Sequence, residues 1–321
     1  MITQITSEHL AHNLFGDSAT RDLVVHLPPG YDQSEKRYPT LYLLHGYNGR
    51  AMSWLVQFRM NFAWRDITEV LDDAFNRGLC REMIVVMPDG WSRLGCSQWV
   101  DSPVNGNYEK YVIHDVVPFV DRKFRTIPDR ASRGVTGISS GGFGAWHLAS
   151  RNPDVFGAMS LLSADSYFDF THKPWIYHYF NELKGEEPNG PLNGDIYSWM
   201  TYGLASCYSP NSAKPPYYAD LPVEYPSGEI IPEIWNKWLE YDPIVSYAHR
   251  LANLRKLRGI LLDVGTHDEY DLHYGHRILS QRLTAAGIVH QTNEHGGTHD
   301  SHLYERIEVT MEWFSRLLEP E

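Results

Sequence analysis

Basic residues are scarce in this chain. Across 321 residues, 28 Lys+Arg stand against 40 Asp+Glu, for a formal net charge of −12. A phosphate-backbone partner calls for a basic surface, so nucleic-acid binding is not expected. Cysteine is scarcer still. Cys80, Cys96 and Cys207 are odd in number and widely spaced, which excludes a disulfide framework and a paired zinc-knuckle pattern. No apolar run approaches the roughly 20 residues of a bilayer span, and mean hydropathy is −0.40, so no membrane partner is expected. The opening Met1-Ile-Thr-Gln-Ile-Thr-Ser-Glu-His lacks a basic region followed by an apolar one. With the free thiols, that points to a reducing, cytoplasmic location.

Several signatures of bound groups are also missing. His267, Asp268, His273 and His276 lie close in sequence, as do His295, His299 and His302, yet H-E-x-x-H is absent. Gly296-Gly297 separates His295 from His299, which argues against a shared helix face, so no metal is expected. No G-K-[ST] ends a Gly-rich loop, and no G-x-G-x-x-G opens a helix after the early strands. Phosphate-cradle and dinucleotide sites therefore lack support, and no cofactor is expected.

What is present is ordinary for a globular protein: 42% hydrophobic and 21% charged residues, at a length that suits one large α/β domain. Apolar runs at 22–27, 40–44, 83–87, 133–138, 157–163 and 259–264 are bounded by turn residues and read as strands, with a last strand from Ile288 to Glu294. Amphipathic stretches near 64–78, 108–124, 142–151, 245–257, 272–287 and 302–318 read as helices. Continuous apolar strands alternating with helices predict a mostly parallel, doubly wound sheet covered on both faces. Residues 164–240 break the rhythm. They are rich in aromatics, including Trp175, Tyr177, Tyr179, Phe180, Trp199, Tyr202, Tyr217, Tyr218, Trp235 and Trp238, with little periodicity. Such an insertion suits a lid or pocket wall, and equally a satellite core or a subunit contact.

The chemistry is carried by Gly137-Ile-Ser139-Ser-Gly141, one G-x-S-x-G between a strand and a helical stretch. A nucleophilic serine on such a turn projects above the sheet, and small residues at −2 and +2 let strand and helix approach. Only Ser139 fits, because the frame shifted to Ser140 would need glycine at Ile138. Its base and orienting acid should follow in the order Ser, Asp/Glu, His. Asp268 lies just past the strand 259–264 and is the preferred acid; Asp263 lies within the strand, and Asp271 begins the next helix. His299 lies between the last strand and the last helix and is the preferred base, with His295 and His302 beside it as alternatives. His45-Gly-Tyr47-Asn-Gly ends the strand 40–44, so the backbone N–H groups of Tyr47 and Ser140 are the expected oxyanion donors. Cys96 reads as an ordinary thiol, and Glu109 and Asp115 as structural or surface charges.

Leu27-Pro-Pro-Gly-Tyr-Asp, Arg37-Tyr-Pro-Thr-Leu-Tyr-Leu-Leu-His-Gly-Tyr, Met87-Pro-Asp-Gly, Gly106-Asn-Tyr-Glu-Lys-Tyr, Gly137-Ile-Ser-Ser-Gly-Gly-Phe-Gly-Ala, Gly265-Thr-His-Asp and Gly297-Thr-His-Asp resemble the "Putative esterase" family of α/β hydrolases. That group contains S-formylglutathione hydrolases, feruloyl esterases, enterochelin esterases and mycolyltransferases. The resemblance covers most of the chain outside 164–240. It implies the α/β-hydrolase fold, the same five residues in the same roles, and no cofactor. The expectation is a serine carboxylesterase acting on a small-molecule ester, short-chain or aryl (cinnamoyl or feruloyl type). S-Formylglutathione hydrolysis and acyl transfer are alternatives within the family, and an inactive hydrolase-fold scaffold is the alternative outside it. A homo-oligomer is compatible with the sequence.

Overall fold

Each apolar run expected as a strand enters one sheet of the computed structural model, which describes residues 1–55, 66–178, 196–225 and 227–320. The strands are β1 (Ile2–Thr6), β2 (Thr20–His26), β3 (Thr40–Leu44), β4 (Ile84–Pro88), the short pair β5 (Asp101–Ser102) and β6 (Gly106–Asn107), β7 (Arg133–Ile138), β8 (Ala158–Leu162), β9 (Gly259–Gly265) and β10 (Gln291–His295). The helices are α1 (Ile67–Asn76), α2 (Tyr108–Lys110), α3 (Val117–Lys123), α4 (Ser140–Arg151), α5 (His172–His178), α6 (Ile196–Tyr208), α7 (Pro232–Leu239), α8 (Pro243–Leu254), α9 (Leu272–Ala285) and α10 (Leu303–Leu317). A widened π turn over Tyr111–Val116 joins α2 to α3, so the stretch expected at 108–124 is one interrupted helix.

The sheet order is β1-β2-β4-β3-β7-β8-β9-β10. β1 and β2 are antiparallel, as are β2 and β4, and every later pairing is parallel. This is the α/β-hydrolase arrangement. It gathers the loops that leave β3, β7, β8, β9 and β10 at one rim, because parallel neighbours end on the same side.

Alternation along the strands divides the core. Val25, Tyr42, Val86, Val135 and Leu262 pack with residues of α4, α8 and α9 on one face. Leu41, Val85, Ile138 and Leu261 pack with α1 and α10 on the other. Both faces are covered, which is why these strands read as unbroken apolar runs.

The short pair β5 and β6 was not expected, being two residues each. At the edges of the main sheet, β1 was not expected, and β10 begins at Gln291 rather than Ile288. Both are sheet edges with largely exposed side chains: β1 buries only Ile5, too little to read as a strand, and the apolar Ile288 that suggested the last strand lies before β10, whose own residues are polar. The helix expected at 64–78 is seen as α1, started by Asp66, whose carboxylate accepts from Thr68 N at 2.9 Å. Residues 64 and 65 lie outside the described residues.

The aromatic insertion has its own order. Trp199, Tyr202, Tyr208, Tyr217, Trp235 and Trp238 are buried in a third apolar cluster, which Phe143 of α4 joins to the main body. Helix α6 buries Leu204, Ala205, Cys207 and Tyr208 in succession, so no polar face marks its period. Tyr179 and Phe180 lie outside the described residues. Cys80, Cys96 and Cys207 are free and buried. No helix among the described residues is long and apolar enough to cross a membrane.

Candidate active site

The turn between β7 and α4 is tight for a steric reason. A Cβ on Gly141 would stand 2.2 Å from the Leu44 carbonyl oxygen, and one on Gly137 would stand 2.5 Å from the Gly141 carbonyl carbon. Ser139 between them adopts φ 57° and ψ −126°, a strained conformation for a residue with a side chain. Its N–H donates to Leu162 O at 2.9 Å, and its carbonyl accepts from Phe143 N at 2.9 Å. The surrounding chain thus holds the strain in place. The Ser139 side chain faces the loop after β3: a Cβ on Gly46 would meet Ser139 Cβ at 3.2 Å and Oγ at 3.8 Å.

That second loop is pinned by His45. Its Nδ1 donates to Gly46 O at 2.9 Å, and its Nε2 accepts from Gly90 N at 2.8 Å. Tyr47 is anchored through its hydroxyl, which donates to Leu94 O at 2.8 Å. The backbone N–H groups of Tyr47 and Ser140 make no hydrogen bond to protein among the described residues. At Ser140 this follows from its place at the start of α4, where the first N–H groups have no carbonyl behind them.

Asp268 and His299 arrive from the loops after β9 and β10. His299 Nδ1 lies 2.8 Å from Asp268 Oδ2, and both residues are buried. Asp268 Oδ1 accepts from Tyr270 N at 2.9 Å, which fixes the carboxylate. Burial alone would push the Asp268 carboxyl up and the His299 imidazole down. Their hydrogen bond and opposite charges reverse both, helped at Asp268 by the Tyr270 and Leu272 N–H groups and at His299 by Asp300 and Asp165. Asp268 therefore titrates below its ordinary range and His299 above it.

The alternatives fall elsewhere. Asp263 is fully buried and takes Arg306 Nε at 2.6 Å and Asn293 Nδ2 at 2.5 Å. Asp271 precedes α9 in a left-handed conformation, without the side-chain cap bond of a helix start. His302 stands likewise before α10. His295 accepts from Gly297 N through Nδ1 at 3.2 Å, and its Nε2 comes no nearer to Asp263 than 4.0 Å. Glu109 is structural, as expected: it accepts from His147, Arg151 and Asn152. Among the described residues, no group of three or more His, Cys, Asp or Glu is placed to hold a metal ion.

Two groups were not expected from sequence. Arg306 of α10 donates through Nη1 to His299 O at 2.8 Å and through Nη2 to Ser163 Oγ at 2.9 Å while pairing with Asp263. It ties the His299 loop to the loop after β8. Asp165, on that same loop, accepts from Ser140 Oγ at 3.1 Å. The signal for Asp165 was its place three residues past the end of a parallel strand, as with Asp268 past β9.

A family profile described as "Putative esterase" matches residues 18–320. The chain belongs to this esterase family. Among curated relatives, an endo-1,4-beta-xylanase/feruloyl esterase of Xylanibacter ruminicola is 31% identical over 147 residues, 44% of this chain and 19% of that protein. Esterase Rv1288 of Mycobacterium tuberculosis is 32% identical over 146 residues, 43% of this chain and 27% of that protein. The chain thus spans only about a fifth to a quarter of the length of these relatives. Among solved structures, a ferulic acid esterase superposes with TM-score 0.66 at 23% identity, covering 99% of this chain and 98% of that one. The fluorophosphonate-binding serine hydrolase FphF of Staphylococcus aureus gives TM-score 0.61 at 17% identity, covering 98% and 97%. These likenesses establish the shared fold.

Proposed function

We propose that this esterase-family chain is a serine carboxylesterase of short-chain or aryl esters. The observation that carries the reading is the 2.8 Å bond between Asp268 and His299 at the rim where Ser139 stands on its strained turn. In this reading Ser139 attacks the ester carbonyl and His299 takes the hydroxyl proton. The oxyanion is received by the N–H groups of Tyr47 and Ser140. His299 passes the proton to the departing alcohol, and a water activated by the same imidazole then releases the acid from the acyl-enzyme. Asp268 holds the ring orientation and stabilises the imidazolium. The small-molecule ester is the sole partner the reading requires, with no metal or cofactor.

Aromatic packing favours an aryl acyl group. The Tyr270 ring meets His299 edge-on, with centroids 4.8 Å apart, and Trp175 of α5 meets Tyr270 at 5.0 Å. These contacts support reading part of the 164–240 insertion as a lid, seated on a satellite core. The xylanase/feruloyl esterase relative and the ferulic acid esterase structure support the same acyl class. S-Formylglutathione hydrolysis is the second reading, favoured by the likeness to the S-formylglutathione hydrolase FrmB of Staphylococcus aureus, TM-score 0.56.

Ser139→Ala is expected to lower ester turnover by several orders of magnitude with the fold intact. A fluorophosphonate probe should label the wild type at Ser139. A folded wild type that takes no label, or an alanine variant with near-wild-type kcat, would remove the serine mechanism. Initial rates on p-nitrophenyl acetate, p-nitrophenyl octanoate, methyl ferulate and S-formylglutathione separate the substrate readings. A preference for octanoate contradicts a small or aryl acyl pocket.

A further inference from the structure

The mechanism above leaves one buried carboxyl at the rim unused. Asp165 follows β8, the strand between the one that carries Ser139 and the one that carries Asp268. It is 7% exposed, and no cation forms an ion pair with it among the described residues. Its Oδ2 accepts from Ser140 Oγ at 3.1 Å and lies 3.4 Å from Gln98 Nε2, which also donates to Ser140 Oγ at 3.0 Å. Carboxyl, amide and hydroxyl thus close a triangle around the residue next to Ser139.

The triangle is held by strained chain. Gln98 and Trp99 both have positive φ, 51° and 57°, and Ser163 and Tyr167 flank Asp165 at 43° and 58°. The Asp165 loop is nailed on either side. Ala164 N donates to His276 Nε2 at 2.9 Å, and the N–H groups of Tyr167 and Phe168 donate to Asp242 at 3.0 and 2.7 Å. Gln98 Oε1 is buried with no partner among the described residues. Strain and an unpartnered polar atom persist only where the surroundings over-determine them, and they concentrate at working sites.

We propose that Asp165 is a positioning residue of this site: through the Ser140 hydroxyl it fixes the backbone N–H beside the nucleophile, and through its charge it stabilises the proton that His299 carries during turnover. The inference rests on the serine-esterase reading and adds a second acid to it. Burial pushes the Asp165 carboxyl up to about 6, against the Ser140 and Gln98 hydrogen bonds and the His299 charge, while Asp268 pushes it further up. The charges acting on His299 are Asp268, Asp300 and Asp165. Its backbone is held by Glu269, which accepts from the N–H at 2.9 Å, and by Arg306 at the carbonyl. Asp165 is the one of these acids that also bonds to Ser140, so charge and geometry can be removed separately.

The experiment compares kcat and KM for p-nitrophenyl acetate against pH in the wild type, Asp165→Asn and Asp165→Ala, with thermal melts to confirm folding. The amide of D165N still accepts from Ser140 but carries no charge. Its acid limb should move down by about one pH unit with the plateau kept within about threefold. D165A loses both contributions; it should show the same limb shift and a kcat about tenfold lower with KM little changed. A D165N limb superposing on the wild type, or a D165A plateau equal to it, overturns the proposal. Should D165A fail to fold, D165N alone decides the charge effect, and Ser140→Ala, with the hydroxyl gone and the N–H kept, replaces it for the kcat comparison. The wild type is first labelled with the fluorophosphonate probe. Absence of label refutes the serine mechanism itself, whereas a labelled wild type with unmoved variants refutes only the role of Asp165.

Discussion

At the scale of the residue, the glycines around Ser139 make different demands. A Cβ on Gly141 would collide with the Leu44 carbonyl oxygen at 2.2 Å, and that obstacle is backbone of a central strand. Gly141→Ala should therefore cost about 3 kcal/mol of stability in urea denaturation, by pushing α4 away from β3. A Cβ on Gly46 would stand 3.2 Å from Ile138 O and Ser139 Cβ, which a shift of a few tenths of an ångström relieves. Gly46→Ala should fold with a Tm within a few degrees of wild type yet turn over ester about tenfold more slowly, because the shift falls on the serine and on the Tyr47 N–H. Ser139, Asp268 and His299 were legible because each follows a strand end and the chain order is fixed by the hydroxyl, acid, imidazole sequence. Asp165 obeys the same rule but was not legible as a partner of Ser140. That contact depends on β8 lying beside β7, which no local pattern states.

At the scale of the element, legibility followed burial. β3, β4, β7, β8 and β9 are covered on both faces and announce themselves as apolar runs, while the edge strand β1 does not and the edge strand β10 is legible only by the apolar residues before it, with its start displaced. Helices α5 to α7 were hidden for the opposite reason in part: α6 packs apolar residues around much of its circumference, so periodicity vanishes just where a helix is most enclosed. Helix α10 does more than cover the sheet, since Arg306 links Asp263 on β9 to the His299 carbonyl. Arg306→Met should strand the Asp263 carboxylate in the core and cost about 3 kcal/mol or more, read as a fall in the urea midpoint. Trp175 of α5 is one contact from the insertion to Tyr270, whose ring meets His299. Trp175→Ala should raise KM for methyl ferulate several-fold and leave that for p-nitrophenyl acetate nearly unchanged; equal effects on both would deny the insertion a part in acyl selection.

At the scale of the whole molecule, buried titratable groups set how stability depends on pH. Burial holds His147 at about 4, His172 at about 3 and His276 at about 4. A histidine with a folded value below its unfolded value of about 6.5 contributes fully only above that pH, and its contribution is lost as pH falls toward the folded value. Asp165 and Asp242, pushed up to about 6 by burial, act in the opposite sense between about 6 and 4. The histidines carry the larger shifts, so Tm should drop by several degrees between about pH 7.5 and about pH 5; an unchanged or higher Tm at the acid end contradicts this. The three thiols offer a second gauge of the molecule. Cys80 sits in the layer with α1 and α10, whereas Cys96 and Cys207 sit in the aromatic cluster. Alkylation of the native protein can proceed only through opening, so each thiol is a clock for the layer that encloses it. Mass-resolved iodoacetamide uptake that runs faster at Cys96 and Cys207 than at Cys80 would mean that the cluster breathes while the sheet stays shut.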